Sequence, residues 1–265
     1  MIDSFKVSIV IPCFNHGEFL PEAVASVANM RRKDVELIVV DDGSTDGRTR
    51  TEVDGLIALG IKVIRQQNKG LAAARNAGIL ASEAKYILPL DADNRLRHGY
   101  IEHGIRILDA NPHIGVVYAD AEYIGTRTGR WSVGSFDRDR LLQWNYIDAC
   151  AVYRRSIWEQ NCGYDGTMPI QGLEDWDFWL STLEHGWEFA YVPEVLFEYR
   201  VVENSMIARA SGFEASIEAF IATKHGLLYR HTLLELASKN KSVKATVRNL
   251  YELVKCRLKL KTRKQ

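Results

Sequence analysis

Apolar positions along the first half of the chain fall into short continuous runs separated by stretches with a helical period. Val7–Phe14 (VSIVIPCF) and Val35–Val40 (VELIVV) are runs with no polar alternation, the pattern of strands buried on both faces. Between them Phe19, Leu20, Ala23, Val24 and Val27 recur at helical spacing over 18–29. Thr45 and Asp46 can cap a helix reaching about Leu59, followed by a strand at Ile61–Arg65 and an Ala-rich helix at Gly70–Ser82. A strand at Tyr86–Leu90, a helix at His98–Ala110 and a strand at Gly115–Ala119 continue the alternation. Strands alternating with helices of this length predict βαβ units and a mainly parallel, Rossmann-like sheet flanked by helices, an α/β fold.

The second half has a weaker signal. Residues 120–170 mix aromatics, glycine and charge without a period; Asp148–Tyr153 reads as a strand. Leu173–His185 has helical spacing, and Trp187–Val192 and Val195–Arg200 read as two short strands hinged at Pro193. From Ser211 to about Leu260 the chain reads as a C-terminal helical extension. The expected division is a domain over 1–210, in two halves meeting between 115 and 116, and an extension over 211–265.

Charge sharpens this division. The chain has 34 basic and 34 acidic residues, but residues 231–265 hold ten Lys/Arg against two acids, so an acidic body carries a basic tail. Overall balance argues against a polybasic nucleic-acid binder, and no nucleic-acid partner is expected. The N-terminus lacks the pattern of a signal peptide, no run is long enough to span a bilayer, and a cytoplasmic protein is expected. Val243, Val247, Leu250, Val254 and Leu258 recur at helical spacing among the basic residues. Such a helix either packs its apolar stripe on the domain or lies on an anionic membrane surface at the inner face of the cell membrane. The four cysteines form no CxxC pair; Cys13 and Cys150 lie in apolar runs and read as buried thiols.

In parallel sheets ligands bind beyond the carboxyl ends of the strands. Those ends are acidic: Asp41-Asp42-Gly43-Ser44-Thr45-Asp46 after the second strand and Asp91-Ala92-Asp93 after the fourth. Gathered at one edge, such carboxylates need a cation or hydrogen-bond donors, and a divalent metal holding substrate phosphates would serve. The first run also reads as a turn with an N-cap, and the second as a loop with surface acids. Gly70 opens a helix where an anion can approach the backbone, with Arg75 just over one turn in; a plain packing helix fits the same residues. Glu174, Asp175 and Asp177 start a later helix beside Trp176 and Trp179. The dipole alone favours acids there, while aromatic faces beside a carboxylate also suit a sugar ring and a general base. Neither dinucleotide-binding nor P-loop glycine spacing is present, which counts against both of those enzyme classes.

Taken in order, VSIVIPCFN, VVDDGSTD, GLAAARN, LPLDAD and GLEDWDFWL resemble the inverting, nucleotide-sugar-dependent glycosyltransferases of family two, which have the GT-A fold. The resemblance covers roughly residues 5–205. It implies that Pro12 and Phe14 lie against the nucleobase and that Asp42 hydrogen-bonds it, with Arg75 near the nucleotide. It implies that Asp91 contacts ribose or sugar, and that Asp93 binds Mn²⁺ or Mg²⁺. It makes Asp175 the base that deprotonates the acceptor hydroxyl, with Glu174 its nearest rival. The implied substrates are a nucleotide-diphospho-sugar, a UDP-sugar by preference, and a saccharide or lipid-linked acceptor, in cell-surface polysaccharide or glycolipid synthesis. One departure stands out. Relatives often carry His where this chain has Val202, after Tyr199-Arg200, and Val cannot ligate. Glu203 or water would have to substitute. A binding module that no longer transfers is therefore the alternative, and a sugar nucleotidyltransferase ranks third, because the loop Pro12–Gly17 lacks a Gly-rich basic cluster.

Overall fold

The computed structural model describes residues 5–202 and 212–239. The chain divides into two compact units, 1–217 and 218–265. The first unit is built on one mixed sheet, and its first half follows the sequence pattern closely. The strands β1 (Val7–Cys13), β2 (Val35–Asp41), β3 (Lys62–Arg65) and β4 (Tyr86–Pro89) pair in parallel, in the order β3-β2-β1-β4. Every residue of β1 and β4 is buried, as runs without alternation require.

The connecting helices are α1 (Leu20–Ala28), α2 (Gly47–Ala58), α3 (Leu71–Leu80) and α4 (Tyr100–Ala110). Leu20, Ala23, Val24 and Val27 form the buried face of α1. Asp46 caps α2 as expected, its carboxylate accepting the Thr49 N–H at 2.7 Å. Gly78 lets α3 pack closely on the sheet: a Cβ there would lie 2.3 Å from Cγ1 of Val10 and 3.1 Å from Cγ2 of Val40.

The remainder of the sheet is antiparallel or mixed. Beyond β4 come β8 (Val152–Arg154), β6 (Ile114–Gly125), β9 (Glu188–Val201) and the two-residue edge strand β5 (Arg95–Leu96), while β7 (Gly129–Trp131) forms a hairpin with β6. β8 runs antiparallel to both β4 and β6; β6 and β9 are parallel. The helices α5 (Arg138–Gln143) and α6 (Arg155–Gln160) lie in the stretch without a sequence period, and α7 (Glu174–Glu184) follows.

Two sequence expectations are corrected here. The strand expected to stop at Ala119 runs on to Gly125, through the buried Asp120. That carboxylate is tolerated because Arg130, Tyr191 and the Val133 N–H donate to it at 2.6–2.9 Å. The two strands hinged at Pro193 are one strand, β9. Its register jumps from Ala119 opposite Val192 to Asp120 opposite Val195, a bulge that spares Pro193 from donating to the ladder.

In the second unit the helix α9 (Gly226–Lys239) follows α8 (Glu214–Lys224), which begins before the boundary. Leu227, Leu233, Leu234 and Leu236 of α9 are exposed. No helix among the described residues is long and apolar enough to cross a membrane. The basic helix expected over 243–258, and Glu203, lie outside the described residues.

Candidate active site

The loops at the carboxyl ends of β1, β2 and β3 are tied to one another. Asn15, in the left-handed region at φ 56°, accepts the Thr45 N–H at 2.8 Å while its own N–H donates to Ser44 Oγ at 3.0 Å. Asp42 is buried, and its carboxylate accepts from Gln66 Nε2 (2.7 Å), the Lys69 N–H (2.9 Å) and the Gly70 N–H (2.8 Å). Three of the roughly four acceptor positions of a carboxylate are thus spent on shaping the loop that opens α3, leaving about one for a ligand. Pro12 is buried within β1 opposite Val40, so it offers no face to a base. Of the expected pair, only Phe14 presents an exposed ring.

Arg75 reaches from the second turn of α3 into the centre of the site and is buried, not displayed to solvent. One guanidinium nitrogen donates to Asp91 at 2.8 Å, the cation lies 5.5 Å from the Tyr164 ring centroid, and the buried Nε has no hydrogen-bond partner. Burial opposes its charge, yet Asp91, Tyr164, Glu174 and Asp175 outweigh it and hold the group firmly protonated. Arg75 is therefore the shared counter-charge of acids brought from two distant segments.

The Asp91–Asn94 loop is pinned from β9. Asn94 accepts the Arg200 N–H at 2.9 Å, and Arg200 Nε donates to the Asp93 carbonyl at 2.9 Å. The same guanidinium lies 4.5 Å from the Phe19 centroid and donates to Glu22 at 2.6 Å. Burial, with Asp91 adding to it, pushes the Asp93 carboxyl up to about 6, against the opposing fields of His16 and Arg200. A carboxylate crowded in this way gains from a cation. Among the described residues no three His, Cys, Asp or Glu side chains form a metal cage. Asp91 and Asp93 are a donor set suited to a hard cation that takes its other ligands from phosphate and water.

α7 delivers the second carboxylate group. Gly172, at φ 110°, turns the chain into the helix, and its N–H donates to Glu174 at 2.8 Å. Asp175 accepts from Asn145 Nδ2 at 2.9 Å. Burial pushes its carboxyl up to about 7; Glu174 and Asp91 add to this, while Arg75 and Asn145 oppose it. The aromatic wall expected from Trp176 is corrected. Its ring is buried and its Nε1–H donates to the Leu141 carbonyl at 2.7 Å, while Trp179 likewise donates to the Ile147 carbonyl at 3.0 Å. Both indoles anchor the 141–147 segment. The exposed aromatic on that segment is Trp144, tilted against Trp176 at 6.3 Å.

Two further residues were not among the expected site residues. Asp148, half-buried, is pushed up to about 8 by burial, Asp91 and Asp175, against the Cys150 N–H and Arg75. The Tyr199 phenol is raised by burial and then by Asp148, Asp91, Asp93 and Asp175. The sequence placed Asp148 at the start of a strand, but β8 begins only at Val152 and Asp148 lies in the turn before it. Only the pairing of β8 with β4 carries it to the site.

The acidic loops at the ends of parallel strands and the later Glu174-Asp175 helix are the frame on which the comparisons bear. The family model described as "Glycosyl transferase family 2" matches residues 8–162, more than half the chain. The chain belongs to glycosyl transferase family 2. An uncharacterized glycosyltransferase of Haemophilus influenzae is 26% identical over 217 residues, covering 75% of this chain. The chain spans 66% of that protein, just under two thirds, and as little as 16% of a relative from Rickettsia bellii. Among solved structures, Staphylococcus aureus TarS in complex with UDP-GlcNAc has a TM-score of 0.65 at 18% identity, covering 77% of this chain and 61% of that one. A mannosyltransferase from Pyrobaculum calidifontis, in complex with GDP-Man and Mn²⁺, has a TM-score of 0.59 at 17% identity, with coverages of 78% and 60%. These likenesses establish a GT-A fold for this family 2 chain.

Proposed function

We propose that this family 2 chain transfers a sugar from a nucleotide-diphospho-sugar to an acceptor hydroxyl with inversion, with Asp175 as the base. The observation that carries the reading is the meeting of the Asp91–Asp93 loop with Asp175 across the buried Arg75. A base poised near 7 matches what general-base catalysis requires at neutral pH. Asp175 takes the proton of the acceptor hydroxyl as its oxygen attacks the anomeric carbon, and the bond from that carbon to the diphosphate breaks. Asn145 fixes the carboxylate's orientation, and Glu174 is committed to the Gly172 N–H. Phe14 offers a ring to the nucleobase, and Asp42 keeps about one acceptor position for it. Asp93 would hold Mn²⁺ or Mg²⁺ together with the diphosphate, and Asp91 would contact the ribose or the sugar. A divalent ion so held supplies Lewis-acid stabilisation of the departing diphosphate. Trp144, exposed beside Asn145, is suited to stack on an acceptor sugar. UDP is the preferred nucleotide, since structural neighbours are described in complex with UDP and UDP-GlcNAc. A role in cell-surface polysaccharide or glycolipid synthesis follows from the family resemblance.

The test is calorimetric titration with UDP, GDP, CDP and dTDP, each with and without Mn²⁺. Metal-dependent binding of one diphosphate is the expected result; no binding of any would sink the donor reading. Val202, in place of a ligating His, favours one second reading, a binding domain without turnover. Product formation from any acceptor removes it, and proton NMR of the product's anomeric centre checks inversion.

A further inference from the structure

Asp148 has no part in the chemistry above, yet its segment is among the most firmly held in the site. β8 pairs with β4 with Ile87 opposite Tyr153, so the chain entering β8 runs beside the end of β4, where Asp91 begins. The entry is fixed at three points. Trp179 Nε1 donates to the Ile147 carbonyl at 3.0 Å, the Cys150 N–H to Asp148 Oδ1 at 2.8 Å, and the Tyr100 hydroxyl to the Cys150 carbonyl at 2.5 Å. The bond to Cys150 is an Asx turn and uses one carboxylate oxygen. The other has no hydrogen-bond partner among the described residues, and the side chain is only half-buried, so that oxygen is open to a ligand.

A purely structural turn would be made equally well by Asn, without placing a third acid beside Asp91 and Asp175. The surroundings suit a sugar. Tyr199 precedes Arg200, which is tied to the Asp93–Asn94 loop, and it packs edge-on against Trp131 at 5.4 Å, which stacks on Tyr123 at 5.7 Å. Half-buried aromatic faces beside a carboxyl group with a free oxygen offer both contacts a hexose needs, a flat apolar face and an acceptor for a hydroxyl.

We propose that Asp148 is a sugar-recognition residue of this site, the free oxygen of its carboxyl group accepting a hydrogen bond from a hydroxyl of the sugar carried by the nucleotide. The assignment rests on the nucleotide-sugar reading above. It makes the preferred donor one with a neutral, hydroxyl-bearing sugar, and it disfavours a uronic acid, whose carboxylate would meet three acids.

The test is calorimetric titration of the full-length wild type, Asp148→Asn and Asp148→Ala with UDP, GDP, UDP-glucose, UDP-GlcNAc, UDP-glucuronic acid and GDP-mannose, each with Mn²⁺. Asp148→Asn keeps the acceptor for the Cys150 N–H, so it separates a lost fold from a lost contact; Tm is measured alongside. In Asp148→Asn the affinity for the nucleoside diphosphate is expected to stay within about twofold of wild type. The ratio of nucleotide-sugar to diphosphate affinity is expected to fall about tenfold. An unchanged ratio in Asp148→Asn, with nucleotide binding intact, overturns the assignment alone. So does an equal loss of diphosphate and nucleotide-sugar, or a wild type that prefers the glucuronic acid conjugate. A wild type that binds none of the six overturns the donor reading, and this assignment with it.

Discussion

Asp175 takes its chemistry from its neighbours. The same dipeptide at an exposed helix start would be an ordinary pair of first-turn acids; here burial raises Asp175 to about 7 while Arg75 and Asn145 keep it from rising further. In the proposed role of base it must be ionised. The rate kcat/KM is therefore expected to fall as pH drops through about 7, and a pH–rate profile checks this. Asp175→Asn keeps the shape but loses the base, and turnover should fall by about 10²–10⁴-fold while calorimetry shows nucleotide binding retained. Stability should move the other way. The folded state holds this proton more tightly than an unfolded chain, whose carboxyl titrates near 3.8. Ionisation of the folded protein is thus a cost that is absent below about pH 4, grows as pH rises and is full above about pH 7. At roughly 1.36 kcal/mol per pKa unit the upper bound is about 4 kcal/mol. The Tm of Asp175→Asn should exceed that of wild type at pH 8 and match it near pH 4; a lower Tm at pH 8 would contradict the burial argument.

Among the secondary-structure elements, the α3–sheet contact and the β9–loop contact carry most of the site's geometry. Ala at position 78 would suit a helix better than Gly by about 1 kcal/mol, but its Cβ would fall 2.3 Å from Val10 Cγ1. The clash should win, and Gly78→Ala is expected to lose about 1–3 kcal/mol in denaturant unfolding. Arg200 holds the Asp93 carbonyl, Glu22 and the Phe19 ring with one planar group. Arg200→Lys cannot reproduce that fork, and both Arg200→Lys and Arg200→Ala should weaken Mn²⁺-dependent nucleotide binding, by about tenfold or more for Ala. Equal calorimetric affinities in wild type and Arg200→Ala would mean that the loop needs no such pin. Elements with one clear period were readable in advance: α1, α2 and α3 fall within a residue or two of expectation. β5, β7, α5 and α6 were not, because two to six residues carry too little pattern to stand out from loop.

For the molecule as a whole, the acidic body and basic tail remain separate questions. Residues 231–265 carry a net +8, and α9 exposes Leu227, Leu233, Leu234 and Leu236. If this region meets an anionic membrane, full-length protein should co-sediment with phosphatidylserine vesicles at low salt and be released by about 0.5 M salt, because screening shortens electrostatic reach. A chain ending at residue 239 should lose most of that binding. Equal sedimentation of both forms, or none of the full-length protein, would favour a helix that directs its charges only to water.

Local order was enough to give the alternating α/β half, the caps, the family and most of the acidic residues, because strand burial, helical period and turn chemistry are written within a few neighbouring positions. What lay beyond it required distant segments to meet. Arg75 reads equally as an anion-binding or a packing-helix residue until Asp91 pairs with it and burial encloses it. Trp176 reads as a sugar platform until Leu141 takes its N–H and the core closes over its ring. Asp148 reads only as the start of a strand until β8 lies against β4. A side chain's type is local, but its burial, its partners and the charge it carries are set by segments tens of residues away, and only the closed sheet brings those together.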